Sequence, residues 1–104
     1  MRKVDLAPYD IGVSGSPVIY NCREICKGVL FSQQLRLTGE ALLKNYEVWK
    51  KIEAQSGDEV LLEEADYKAL LGALNGVSGF GFGDIEFVER VRNAPEVPVK
   101  EDNG

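Results

Sequence analysis

The stretch GEALLKNYEVWKKIEAQ, residues 39–55, carries the strongest helical pattern in the chain. Thr38 stands before it as an N-cap, and Glu40 lies in the first turn, where a carboxylate faces the positive end of the helix dipole. Lys50 and Lys51 lie near the other end, as the same dipole favours. The apolar spacing predicts a helix whose buried stripe is formed by Leu42, Tyr46, Trp49 and Ile52.

Upstream, the segment NCREICKGVLF (residues 21–31) predicts a second helix. Asn21 is a suitable N-cap, and Glu24 three residues later completes the pattern of a capping box. One apolar face recurs at helical spacing in Cys22, Ile25, Cys26 and Val29. Gly28 lowers the helix propensity of the interior, so we expect this helix to be short.

Downstream, the segment EVLLEEADYKALLGALN (residues 59–75) begins extended and becomes helical near Glu63. Its apolar residues recur at helical spacing in Tyr67, Leu70, Leu71 and Leu74. We expect Gly76 to end this helix in the left-handed conformation that glycine adopts readily. Asp84 is then a suitable N-cap for a last helix in IEFVERVRN (residues 85–93).

Short strands are predicted near the N-terminus, in RKVDLA (residues 2–7) and in VIY (residues 18–20), although VIY could equally be an extended approach to the helix. Together these patterns predict a mostly α or α+β fold with about four short-to-medium helices and one or two short N-terminal strands. A chain of 104 residues fits one small domain, which we place at residues 1–94. Residues 95–104 are rich in proline and charge and are expected to form a mobile acidic tail, in which VPV could dock as an edge strand.

The composition argues against several classes of function. Twelve basic and 17 acidic residues give a net charge of −5, and the basic residues are scattered, so we expect no direct contact with nucleic acid. Histidine, the commonest general base and a frequent metal ligand, is absent from the sequence, which favours a protein that is not an enzyme. Without a long apolar run or a secretory signal pattern, we expect a cytoplasmic protein with no membrane contact.

Two sets of reactive side chains have simple structural interpretations. A zinc site at Cys22 and Cys26 would need carboxylates or a second subunit to complete it, so we favour two small buried side chains. Glu63, Glu64 and Asp66 lack the spacing of a calcium loop, so we favour a solvated helix start. We therefore predict no cofactor and no metal.

Four glycines in NGVSGFGFGDIEF (residues 75–87) raise the question of a phosphate-binding loop. No Walker or Rossmann pattern is present, and Asp84 at the entry to the last helix would repel phosphate. The aromatic rings allow two interpretations, because Phe80 and Phe82 either fold back onto the core or are exposed anchors for a partner. The candidate partner-binding residues are therefore Phe80, Phe82 and Asp84.

Three segments follow one another through most of the chain: YNCREICKGVLFSQQLRLTGEALLKNYEVWKKIE, EVLLEEADYKALLGAL and FVERVRNAPEVPV. Their order resembles that of small accessory proteins encoded by tailed bacteriophages and prophages. The resemblance is one of layout and carries no site residues. It implies a compact, acidic, non-enzymatic protein that binds a virion component or a host protein and that is located in the host cytoplasm or in the virion.

The leading hypothesis is thus a non-enzymatic protein–protein interaction domain, phage-related, that acts as an assembly or host-modulating accessory factor; homo-oligomerisation stays open. A second hypothesis is an acidic regulator that blocks the nucleic-acid-binding surface of a host polymerase or nuclease, and it draws on the acidic residues 58–66. A third is a metal protein or enzyme that depends on the carboxylates or thiols.

Overall fold

The computed structural model describes residues 1–12, 15 and 17–98, and across these residues the chain forms four α-helices and four short strands. In chain order the elements are β1 (Arg2–Asp5), β2 (Tyr9–Asp10), β3 (Ile19–Tyr20), α1 (Cys22–Leu30), α2 (Gly39–Ala54), β4 (Glu59–Leu62), α3 (Glu64–Gly76) and α4 (Ile85–Arg92). Single 3-10 turns lie at Gln33–Leu35 and Phe82–Asp84. The predicted α+β class is confirmed.

Two small antiparallel sheets hold the N-terminal part of the chain against the helices. β1 pairs with β4, and Val4 lies opposite Val60 in that ladder. Both valines are fully buried, because alternate residues of a strand point to one face and this face is turned towards the helices. β2 pairs with β3, and Tyr9 lies opposite Tyr20.

The free edge of β1 is covered by residues 95–97, which fall in the predicted tail. The N–H of Lys3 donates to the carbonyl of Pro95 at 3.0 Å, and the N–H of Val97 donates to the carbonyl of Met1 at 2.7 Å. These bonds satisfy main-chain groups that an uncovered edge strand would leave open to another chain. The prediction for the tail beyond residue 98 lies outside the described residues.

Local caps begin α1 and α2 at the predicted residues. The side-chain oxygen of Asn21 accepts from the N–H of Glu24 at 3.3 Å. The hydroxyl of Thr38 accepts from the N–H of Ala41 at 3.2 Å. Each bond satisfies an N–H that has no partner within the helix.

The buried face of α2 agrees with the prediction only in part, at Trp49 and Ile52. Leu42 and Tyr46 are exposed, and the buried residues are Asn45, Val48, Trp49 and Ile52. The helix is rotated about its axis relative to the predicted orientation, so that the polar side chain of Asn45 lies on the core face. There its amide donates to the carbonyl of Leu30 at 2.8 Å. Tyr46 instead lies beside Lys50, whose ammonium is 4.9 Å from the ring centroid.

Helix α3 ends at Gly76, as predicted, but not in the predicted conformation. Gly76 is the last residue of the helix and the next residue, Val77, is extended, so Gly76 is not a left-handed cap. The positive φ falls at Gly79, at +96°. Gly76 is needed for a close approach, since a Cβ atom there would lie 2.7 Å from Cδ2 of Leu35.

The acidic start of α3 is not simply a solvated helix end. The side chain of Asp66 is only 2% exposed and is held by two lysines from α2. The ammonium of Lys44 lies 3.0 Å from one carboxylate oxygen, and that of Lys51 lies 2.6 Å from the other. Glu64 in the same turn pairs with Arg2 at 3.1 Å, so this turn ties α3 to α2 and to β1.

One continuous core lies between the helices and the β1–β4 pair. Its fully buried apolar side chains come from every helix and from both strands of that pair: Val4, Cys22, Cys26, Leu30, Val48, Ile52, Val60, Leu70, Phe87 and Val91. Within the described ranges, no helix combines the length and the apolar content that a membrane crossing requires.

Candidate functional site

The segment between α3 and α4 carries two aromatic rings at the surface. We call residues 79–84 the Phe82 loop. The side chain of Phe82 is 90% exposed, and that of Phe80 is 36% exposed. The interpretation in which both rings fold back onto the core is therefore excluded.

Asp84 holds the Phe82 loop in one conformation. One carboxylate oxygen accepts from the N–H of Gly81 at 2.7 Å, and the N–H of Asp84 donates back to the carbonyl of Gly81 at 3.0 Å. The other carboxylate oxygen accepts from the hydroxyl of Tyr20 at 2.5 Å. Asp84 is half-buried and braces the loop from within. The sequence predicted Asp84 as the N-cap of α4; it occupies that position, but its side chain makes no capping hydrogen bond to the helix.

A stacked pair of tyrosines lies under the Phe82 loop. The ring centroids of Tyr9 and Tyr20 are 4.7 Å apart with nearly parallel planes. The hydroxyl of Tyr9 donates to the carbonyl of Gly83 at 2.9 Å and accepts from the N–H of Phe87 at 3.0 Å. The β2–β3 hairpin thus supports both the loop and the first turn of α4.

Both phenols are in their protonated form at neutral pH, and burial favours that form further. Burial raises the pKa of Tyr9. Burial also raises the pKa of Tyr20, and its hydrogen bond to the Asp84 carboxylate raises it further. Both hydroxyls therefore remain hydrogen-bond donors to the loop at neutral pH.

An open groove lies beside the Phe82 loop, and we call it the Phe82 groove. It encloses about 560 Å³, and three exposed apolar side chains lie on it: Ile11, Phe82 and Ile85. Gly83 lets this wall close tightly, because a Cβ atom at that position would lie 2.9 Å from Cδ1 of Ile11. The groove therefore joins β2, the loop and α4 in one apolar surface.

Carboxylates line the same groove at Asp10, Glu86 and Glu89. Glu86 pairs with Arg90 at 2.5 Å, and the Arg90 guanidinium also donates to the carbonyl of Ala7 at 2.7 Å. Among the described residues, Glu89 has no cation within ion-pair distance. The rim of the groove therefore carries more negative than positive charge.

The two cysteines are buried and unbonded to each other, as the sequence predicted. Burial raises the pKa of Cys22 to about 11 and that of Cys26 to about 12. Both thiols stay protonated at neutral pH, so neither has the thiolate character of a reactive cysteine. In the part of the chain that the structure covers, no three Cys, Asp or Glu side chains are placed to hold a metal ion.

The sequence indicated the loop but neither its support nor its groove. Tyr9 and Tyr20 lie about ten residues apart in irregular sequence, where no periodicity pairs them. Ile11 and Ile85 line the same groove because the β2–β3 pair packs beside the start of α4. One sequence feature did point to the groove: Ile85 is an apolar residue two positions after Gly83, at the start of a helix.

We compared the chain with known proteins, and no protein-family model, curated protein or solved structure matches it.

Loss of the Tyr20 hydroxyl is expected to loosen the Phe82 loop and destabilise the fold. Because Tyr20→Phe removes a hydrogen bond to a half-buried carboxylate, we expect the free energy of unfolding to fall by about 1.5–3 kcal/mol in urea denaturation. Tyr46→Phe is the control, because Tyr46 is exposed on α2, and it should change stability by less than about 0.5 kcal/mol. Equal effects of the two variants would contradict a bracing role for Tyr20.

Proposed function

We propose that this chain is a non-enzymatic protein-interaction domain and that the Phe82 loop is its binding surface. The main support for this proposal is an exposed ring on an ordered loop. Phe82 is 90% exposed, while hydrogen bonds of Asp84 and Tyr20 hold the loop in one conformation. Exposed aromatic side chains are frequent anchors of protein interfaces. A loop that is already ordered loses less conformational entropy when it binds.

The proposed partner is a protein. The resemblance in layout to accessory proteins of tailed phages suggests a virion component or a host protein. In that setting the chain would act in assembly or in modulation of the host. This role needs an exposed anchor and a stable scaffold, and it needs no reactive group.

The alternative role, an acidic regulator of a nucleic-acid enzyme, draws less support from the acidic residues 58–66. Within this run, Glu59 pairs with Lys3, and Glu63 pairs with Lys51. Glu64 and Asp66 are paired as well. Much of the negative charge of this run is therefore paired with lysine or arginine, which weakens it as a surface that could mimic nucleic acid.

Phe82→Ser tests the proposal directly. We expect the variant to lose about 30-fold or more in affinity for a partner captured from a lysate of the expressing host, because truncation of an anchor residue costs about 2 kcal/mol or more. Its melting temperature should match that of the unmodified chain, since Phe82 has few neighbours to lose. The assay is quantitative capture with mass-spectrometric identification, followed by titration of the purified partner.

Leu43→Ser provides the matched control, because Leu43 is an apolar residue on α2 that is also exposed. A partner that is retained by Leu43→Ser and lost by Phe82→Ser supports the Phe82 loop as the binding surface. A partner that both variants retain with unchanged affinity contradicts it.

A further inference from the structure

We infer that the Phe82 groove binds a cationic amphipathic peptide segment, in which a bulky apolar side chain is flanked by lysine or arginine. The inference rests on the proposed function, since Phe82 forms one wall of the groove. It adds the chemistry of the partner, which the exposure of a single ring does not define.

The apolar walls of the groove suit a bulky apolar side chain of a peptide. Ile11, Phe82 and Ile85 remain exposed side by side around a space of about 560 Å³. That volume lies in the range of sites that enclose a compact ligand group, and its walls favour apolar groups over water. A large aliphatic or aromatic side chain of a partner would cover all three residues at once.

The carboxylates on the rim of the groove favour lysine or arginine in the peptide. Asp10, Glu86 and Glu89 line the groove, while Arg90 is the one cation bonded to any of the three among the described residues. Glu86 and Glu89 lie three apart on α4 and so share a face of the helix with the groove. All three carboxylates are exposed, so they attract lysine and arginine at the surface of the groove, and this attraction weakens as salt is added.

The negative charge of the chain also indicates which molecule is favoured as the occupant of the groove. The chain carries a net charge of −5, so a second copy of the chain meets an acidic rim with an acidic surface. Nucleic acid meets the same repulsion. A basic segment of another protein is the occupant that complements both the apolar wall and the rim.

Selection from a displayed library of random short peptides on the immobilised intact chain tests this inference. We expect enriched peptides to combine a large apolar residue with two or more lysines or arginines. The most enriched sequence, synthesised with a fluorescein label, is then titrated by fluorescence anisotropy. Acidic or uncharged enriched peptides, or no enrichment at all, would overturn the inference.

Charge-neutralising variants give the second measurement. Glu89→Gln should weaken binding of the labelled peptide about 3-fold, and Glu86→Gln with Glu89→Gln about 10-fold, with a smaller loss of affinity on adding salt. Glu40→Gln with Glu47→Gln makes the same change in net charge on exposed residues of α2, which does not line the groove, and should leave affinity within about 2-fold. Equal effects of the two double variants would contradict a role for the rim.

The outcomes separate this inference from the proposed function. If uncharged apolar peptides are enriched and Phe82→Ser abolishes their binding, the cationic inference fails and the proposed binding surface stands. If the enriched peptides bind equally well to Phe82→Ser, both fail. Self-association in sedimentation velocity that Phe82→Ser removes would assign the groove to a second copy and would also overturn the inference.

Discussion

Replacing Phe87 with alanine is expected to lower the free energy of unfolding by about 3–5 kcal/mol, because a large buried ring is lost and a cavity is left. Phe87 is fully buried at the start of α4, and its ring centroid lies 6.0 Å from that of Tyr20. Domains of this size have a total stability of about 5–15 kcal/mol, so the loss is a large part of it. Urea denaturation followed by tryptophan fluorescence measures the change, since Trp49 lies in the same core.

The control is Phe82→Ala, five residues earlier in the same segment. Its ring is almost entirely exposed, so we expect a change within about 0.5 kcal/mol. If Phe87→Ala does not fold, Phe87→Leu keeps most of the side-chain volume and should still be less stable than Phe82→Ala. Similar losses at the two positions would mean that the packing around Phe87 is not as described.

Replacing Lys44 and Lys51 together with methionine is expected to cost about 3–5 kcal/mol at neutral pH, because the buried carboxylate of Asp66 then has no cation. The side chain of Asp66 is 2% exposed, whereas the two lysines are about half exposed. The desolvation penalty therefore falls mainly on the carboxylate. Lys50→Met with Lys68→Met removes the same net charge from exposed positions and serves as the control.

The pH dependence of this double variant should have the opposite sign to that of the unmodified chain. Burial tends to raise the pKa of Asp66, but the hydrogen bonds from Lys51 and Lys44 outweigh burial and hold this pKa below its ordinary value. In the unmodified chain the contribution of Asp66 to stability is therefore present above about pH 4 and is lost as the pH falls through the lowered folded-state pKa.

Without the two lysines, burial dominates and the pKa of Asp66 rises above its unfolded-state value. Protonation then favours the folded state, so the variant should gain stability between neutral pH and about pH 4.5, while the Lys50→Met, Lys68→Met control does not. Urea denaturation at several pH values measures the difference. A variant whose stability falls over this interval in parallel with the control would contradict the buried-pair assignment.

How far the sequence predicted the fold is clearest at the helix starts. Asn21 and Thr38 cap α1 and α2 as predicted, because a cap depends on residues only three positions apart. The buried face of α2 was predicted only in part, since Trp49 and Ile52 are buried as expected but Leu42 and Tyr46 are exposed. Leu42 and Tyr46 match a helical stripe as well as the true buried residues do, and the choice between them depends on a carbonyl of α1 that Asn45 reaches.

In the candidate site, too, local features were predicted from the sequence and tertiary contacts were not. The glycine-rich pattern indicated a loop with two aromatic residues, and it named Phe80, Phe82 and Asp84. It could not place Tyr20 beneath Asp84, since the two residues are 64 positions apart. It also gave no sign that Asp66, in a strongly acidic segment, is buried between two lysines.

By itself, then, the sequence determined the α+β class, the order of the helices and the position of the glycine–aromatic loop. These depend on periodicity, caps and turn residues, which act over a few positions. Only the tertiary structure decided that Phe82 points outwards, that Asp84 braces the loop, and that an acidic apolar groove lies beside it. Those features come from contacts between β2, β3 and α4, and such contacts are made by packing of residues that are distant along the chain.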